Sequence, residues 1–167
     1  ARFADVHFHA VGPWNRQTLP VPTSIRDRLH FHGHLTSPDL FALYARMDCL
    51  LQLSRPHVPV RGTFDGYPNC TSGEAMLCGV PLACVNPLDQ IRYLRDGVDF
   101  IELPSQSAAI AGKIAAYLAS PDSLEPIGRQ GAASAESLFG RDAFLRARLP
   151  FIKQAMACQN NGVLSCA

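Results

Sequence analysis

Charge is scarce in this chain: only 17% of its 167 residues are Asp, Glu, Lys or Arg, and the formal net charge is +1. The basic residues form no block, so the electrostatic footprint of a nucleic-acid binder is missing and no polyanionic partner is expected. Long apolar runs are missing as well. Although 47% of the residues are hydrophobic, none of the runs approaches the roughly 20 residues that cross a bilayer. No CxxC pair occurs among the six cysteines, Cys49, Cys70, Cys78, Cys84, Cys158 and Cys166, which read as buried free thiols of a reducing compartment. No GxGxxG follows the first apolar segment, where Gly12, Pro13, Trp14 and Asn15 stand instead, and this counts against a dinucleotide-binding domain. No Gly-x-Ser-x-Gly elbow accompanies Ser54, Ser72 or Cys70, so nucleophilic hydrolysis has no support. A charged-then-apolar leader and an initiator Met are absent too, and the chain reads as a piece of something longer.

What is present has the size of one compact domain, able to bury about 70% of its unfolded surface. Residues 5–11 (DVHFHAV) alternate apolar and His residues at period two and stop at Gly12 and Pro13, a strand followed by a turn. Residues 29–35 (LHFHGHL) repeat the pattern, with a polar stretch between them that suits a loop and one short helix. Ser37, Pro38 and Asp39 open a helix through Arg46, with Ser37 as its cap and Leu40, Leu43, Tyr44 and Met47 as its buried face. Residues 49–53 (CLLQL) fit a strand covered on both faces. Residues 54–69 form the longest irregular segment, rich in Pro, Gly and Arg, and a place to look for function. A short helix over 72–78 ending at Gly79, a strand over 81–85, a helix over 89–95 stopped near Gly97 and a strand over 99–103 continue the alternation. Helices over 108–118, 123–138 and 142–156 fill the last third. The pattern predicts an α/β fold with a doubly wound, mostly parallel sheet and a helical C-terminal third, as a single domain over 1–157 with a tail over 158–167. Ligands of such folds bind beyond the carboxyl ends of the strands.

Residues 65–85 (DGYPNCTSGEAMLCGVPLACV) carry the chemistry. They place an acid, a Gly-Tyr-Pro-Asn loop and then Glu74 in the opening turn of a short helix, where converging amides can hold a phosphate without any lysine. A carboxylate there has a plain structural reading too, as compensation of the helix dipole.

This segment resembles the acidic-pair signature of the retaining GT-B glycosyltransferases of group 1. The matching residues are Asp65, Gly66, Tyr67, Glu74, Ala75, Met76, Gly79, Val80 and Pro81. The likeness extends in order through HFHAVG ending at Gly12, LHFHGHL around Gly33, SPDLFALYARMDCLLQLS ending at Ser54, and RYLRDGVDFIEL, covering roughly residues 5 to 140. The resemblance implies the donor-binding C-terminal half of such an enzyme, a Rossmann-like domain. It further implies a nucleoside-diphosphate sugar as donor, with no metal and no cofactor. Glu74 would accept hydrogen bonds from the ribose hydroxyls and Asp65 would lie beside the donor sugar. Gly66, Tyr67, Pro68, Asn69, Cys70 and Thr71 would approach the sugar and diphosphate, with Gly12, Ser54 and Arg55 completing the donor site. Gly33, His34 and Leu35 would border the base. Three departures stand out. The acids are nine positions apart instead of the family's eight, the first is Asp65 where the family more usually has Glu, and the family's Arg and Lys for the diphosphate, with the first strand and helix, would precede residue 1. Arg55 or Arg61 is the local substitute. The acceptor, a glycan or a lipid-linked saccharide, would be held by a preceding domain. This half is therefore expected to be inactive in transfer on its own, since approximation of two reactants supplies up to about 7–11 kcal/mol. Surface polysaccharide or lipopolysaccharide assembly, at a cytoplasmic site or the inner face of the membrane, completes the expectation.

Two other readings compete. His7, His9, His30, His32 and His34 alternate on neighbouring strands and could hold a metal of a hydrolase, but such barrels need about 250 residues, and no His follows His57. Histidines packed under helices or donating to backbone are the simpler reading. A non-catalytic nucleotide-sugar or protein interaction module that kept the sheet is the other.

Overall fold

Parallel strands and the helices that flank them account for more than half of the residues that the computed structural model describes, which are 5–19, 21–54, 56 and 68–160, the last three as backbone. They fall into two units, Ala1–Leu43 and Tyr44–Ala167.

In the first unit, β1 (Phe8–Val11) pairs in parallel with β2 (Leu29–Gly33), with His9 opposite His30 and a register shift between Ala10 and Val11. A 3₁₀ turn, Thr23–Arg28, leads into β2. The guanidinium of Arg28 donates to the carbonyl of Val6 at 3.1 Å, tying that turn to the start of β1. Four of the histidines pair with one another across the strands: His7 Nδ1 lies 2.9 Å from His30 Nε2 and His9 Nδ1 lies 2.8 Å from His32 Nε2. Their rings stack in a ladder with centroids 4.8–5.2 Å apart. Period-two alternation puts all four on one face of the pair. Among the described residues, no group of three or more His, Cys, Asp or Glu is placed to hold a metal ion. Helix α1 (Ser37–Tyr44) follows. Its cap is Thr36 instead of Ser37, because the Thr36 hydroxyl accepts from the Asp39 amide at 3.4 Å and donates to the Asp39 carboxylate at 2.6 Å.

The second unit is built on β3 (Leu50–Gln52), β4 (Leu82–Val85) and β5 (Ile101–Leu103), all parallel in that order. The central strand is buried along its whole length, which is why it reads as a continuous apolar run. β3 lies at the edge of this sheet and is half-buried, with Leu50 and Leu51, on opposite faces, both packed against the core. Helix α2 (Cys70–Leu77) joins β3 to β4 and ends at Gly79, whose φ of +80° makes the left-handed cap. The expected helix over 89–95 does not form. The Asn86 side chain accepts the amides of Gln90 and Ile91 at 2.9 and 3.3 Å, and Asp89 turns to φ +49°, so the chain makes successive turns instead. Helices α3 (Ser107–Leu118), α4 (Leu124–Phe139) and α5 (Arg141–Asn160) complete the unit.

The core gathers Met76 from α2, all of β4, Ile91, Leu94, Phe100, Ile101 and Leu103, with Leu124, Ile127 and Ala135 from α4. The buried residues of α4 fall at helical spacing and include Gly128 and Gly131. At Gly128 a Cβ would overlap the Gly79 carbonyl, and at Gly131 it would stand 2.6 Å from the Asp99 carbonyl. The two glycines let α4 lie directly on backbone. The side chain of Asp99, 2% exposed, fastens that same face of the helix. It accepts from the Arg95 amide at 2.9 Å, from Arg95 Nε at 2.8 Å and from Ser134 Oγ at 2.7 Å. Among the described residues, no helix is long and apolar enough to cross a membrane.

Candidate functional site

The mouth of α2 is where unsatisfied backbone donors and an unpaired acid meet. Asn69 caps the helix: its side chain accepts from the Ser72 amide at 2.9 Å and its carbonyl from the Gly73 amide at 3.0 Å. The amides of Cys70 and Thr71 are left without an acceptor among the described residues, the ordinary condition of the first helical positions. Because the helix begins at Cys70 and not at Ser72, Glu74 lies in its second turn, and the first turn holds no acid. Dipole compensation, which fades within the first turn, therefore does not account for Glu74. Its carboxylate is exposed and makes no ion pair or hydrogen bond among the described residues.

A depression of about 280 Å³ opens there, lined by Pro68, Asn69, Cys70, Gly73, Glu74, Leu77 and Phe139. Phe139, at the end of α4, sits over Gly73 with its ring 3.8 Å from where a Cβ would be, and it meets the Tyr93 ring edge-on at 6.3 Å. Tyr44 is buried nearby; burial first, then the negative charge of Glu74 and the Cys78 thiol, push its phenol up to about 12, so it stays protonated. The Ser72 hydroxyl is fully buried without a hydrogen-bond partner among the described residues, and we have no physical account of it.

A profile of the glycosyl transferase-like family matches residues 1–142. The chain belongs to that family of glycosyltransferases. Solved structures with a similar fold include sucrose-phosphate synthase from Thermosynechococcus elongatus, 19% identical with a TM-score of 0.69 over 90% of this chain and 38% of that one. Another is the Anabaena protein HepE in complex with UDP-glucose, 20% identical with a TM-score of 0.63 over 96% of this chain and 42% of that one. A third is the C-terminal domain of a group 1 glycosyl transferase, LpcC, from Francisella tularensis, 16% identical with a TM-score of 0.55 over 70% of this chain and 56% of that one. No curated protein matches the chain. The likeness at these identities concerns the fold, the Rossmann-like half of a GT-B enzyme, and this glycosyltransferase domain spans 38% of the length of the synthase.

The domain brings together only part of the residue set read from its sequence. Pro68, Asn69, Cys70 and Glu74 share the depression; Thr71 stands exposed at the helix start and does not line it. Ser54 follows β3 and accepts from the Gln52 side chain at 3.0 Å. Gly12, Gly33, His34 and Leu35 belong to the other unit. There Gly12 and Gly33 both adopt positive φ, +114° and +66°, and the Gly12 amide donates to the Gly33 carbonyl at 2.7 Å. Arg55, Arg61, Asp65, Gly66 and Tyr67 lie outside the described residues. Gly73, Leu77 and Phe139 are site residues that the sequence reading missed. Gly73 and Leu77 carry no polar group that would draw notice, and Phe139 reaches the site only through the packing of α4 on α2. The thiols divide: Cys84 is buried as expected, Cys49 is half-buried, Cys70 and Cys78 are exposed, and the side chains of Cys158 and Cys166 lie outside those described.

Proposed function

We propose that this glycosyltransferase domain binds a nucleoside-diphosphate sugar at the mouth of α2. Glu74 takes the ribose hydroxyls, and the amides of Cys70 and Thr71 face the diphosphate. The observation that carries the reading is the exposed Glu74 carboxylate, unpaired among the described residues, one turn beyond helix amides that have no acceptor among those residues, in a position that helix electrostatics does not require. A carboxylate is acceptor-only and can take both hydroxyls of a vicinal diol at once. HepE, of similar fold, is solved with UDP-glucose, which supports a donor of this class. In the whole enzyme Asp65 stands beside the transferred sugar, and another domain brings a glycan or lipid-linked acceptor to complete a retaining, metal-independent transfer. The domain alone binds donor without transferring it, and the enzyme serves surface polysaccharide assembly at the cytoplasmic face.

The test is Glu74→Gln, assayed by calorimetry against UDP, GDP and ADP sugars, with circular dichroism as the control for folding. Loss of a charge-assisted contact of about 1.5–3 kcal/mol corresponds to roughly 10- to 150-fold weaker binding. Unchanged affinity in a folded variant would remove the assignment.

A further inference from the structure

Part of the lining of the depression is apolar, and the proposed donor chemistry leaves that part without a use. Of the residues lining the depression, Pro68, Leu77 and Phe139 present carbon; Leu77 is 42% and Phe139 36% exposed. Asn69 has its side-chain oxygen engaged by the helix cap, so among the described residues of the lining Glu74 is the one ionised group. A site that received only phosphate would be poorly built this way. Phosphate gains nothing from an aromatic ring, and a carboxylate repels it. The geometry points to Phe139 as a positioning residue that seats the carbon face of the ribose whose hydroxyls Glu74 holds, an inference that rests on the donor reading above.

Three features support it. A furanose ring has a polar edge, its vicinal diol, and an apolar C–H face, and the depression offers a matching carboxylate and ring. Phe139 meets the Tyr93 ring edge-on at 6.3 Å and packs at ordinary contact distance on Gly73, contacts that favour one ring position beside the depression. Finally, Glu74 follows Cys70 by four residues, about 6 Å along a helix at 1.5 Å per residue. That offset separates the neutral polyol end of the ligand from the anionic end at the amides.

The experiment measures the affinity of UDP, GDP and ADP, and of inorganic pyrophosphate as a probe without a sugar, for the wild-type chain, Phe139→Leu, Phe139→Tyr and Glu74→Gln. Saturation-transfer NMR on the bound nucleotide accompanies it. Taking the scale of an aromatic pair, about 0.5–1.5 kcal/mol beyond buried area, for the ring against the C–H face gives roughly 2- to 12-fold in affinity. Phe139→Leu is therefore expected to weaken the nucleotide by that factor, lose saturation transfer to the ribose C–H protons and leave pyrophosphate unaffected. Phe139→Tyr, which keeps the ring, is expected to retain wild-type affinity. Nucleotide binding that Glu74→Gln weakens but a folded Phe139→Leu does not would overturn this inference alone. Failure of all three nucleotides to bind the wild-type chain would overturn both it and the donor reading.

Discussion

Alanine at two helical glycines should move stability in opposite directions. Gly112, in the middle of α3, has nothing within 4 Å of an added Cβ. Glycine in a helix interior is about 0.5–1 kcal/mol worse than alanine, so Gly112→Ala should stabilise by about that amount. Gly128 is also helical and has the same propensity to gain, but its Cβ would overlap the Gly79 carbonyl and stand 3.0 and 3.2 Å from Pro81 Cδ and Cγ. None of these atoms can swing away. The Gly79 amide is bonded to the Met76 carbonyl at 2.8 Å, and the Pro81 carbonyl accepts from Leu50 at the start of β3 at 2.9 Å. Helix α4 must move off α2 instead. Overpacking of this kind costs about 1–3 kcal/mol, and a rigid backbone obstacle belongs at the upper end, leaving a net loss of about 2 kcal/mol after the propensity gain. At about 2–4 °C per kcal/mol for a chain of this size, Gly128→Ala should lower the melting temperature by roughly 4–8 °C while Gly112→Ala raises it by roughly 1–4 °C. Urea unfolding followed by circular dichroism reads both. Shifts of the same sign, or a Gly128→Ala midpoint equal to wild type, would show that α4 does not lie on backbone at this point.

Acid should unfold the protein partly through Asp99. Hydrogen bonds from the Arg95 side chain first, and from Ser134 and the Arg95 amide, hold its carboxyl well below the usual carboxylate range against the opposing effect of burial. A depressed folded-state value gives stability that is complete above the unfolded pKa of about 3.9 and is lost as pH falls toward the folded value. Asp99→Asn is therefore expected to be less stable at neutral pH and to show a shallower decline between about pH 4 and pH 2; an unchanged acid limb in urea midpoints would contradict this. Thiol labelling at pH 8 should modify Cys70 and Cys78 rapidly, whereas burial pushes Cys49 and Cys84 up to about 12 and keeps them slow. Rapid modification of Cys84 in the folded chain would mean that β4 is not the closed centre of its sheet.

Hydrophobic periodicity and turn chemistry made most of the fold legible. The apolar run 82–85 between a left-handed glycine and a polar loop could be little else than a central parallel strand, and it is. Where local signals competed, the sequence reading erred. Residues 89–95 have helical composition, but a single Asn86 side chain captures two of the amides a helix would need. Helix α2 starts two residues earlier than expected because Asn69 caps it in place of a later residue, and that shift takes Glu74 out of the first turn. The order of the motif marked Pro68, Asn69, Cys70 and Glu74 as site residues. The aromatic side of the same depression was not legible, because Phe139 lies on a different helix.

By itself, then, the sequence determined the elements that depend on neighbours in the chain: strand and helix periods, the left-handed turns at Gly79 and Gly97, and the acid that follows a Gly-Tyr-Pro-Asn loop. Only the tertiary structure decided that the helix-weakening Gly128 and Gly131 are required, that Asp99 binds Ser134 across 35 residues, and that Phe139 and Glu74 line one depression. Local preferences act over a few residues, whereas close approach, burial and shared cavities arise from surfaces that meet only after the chain has packed.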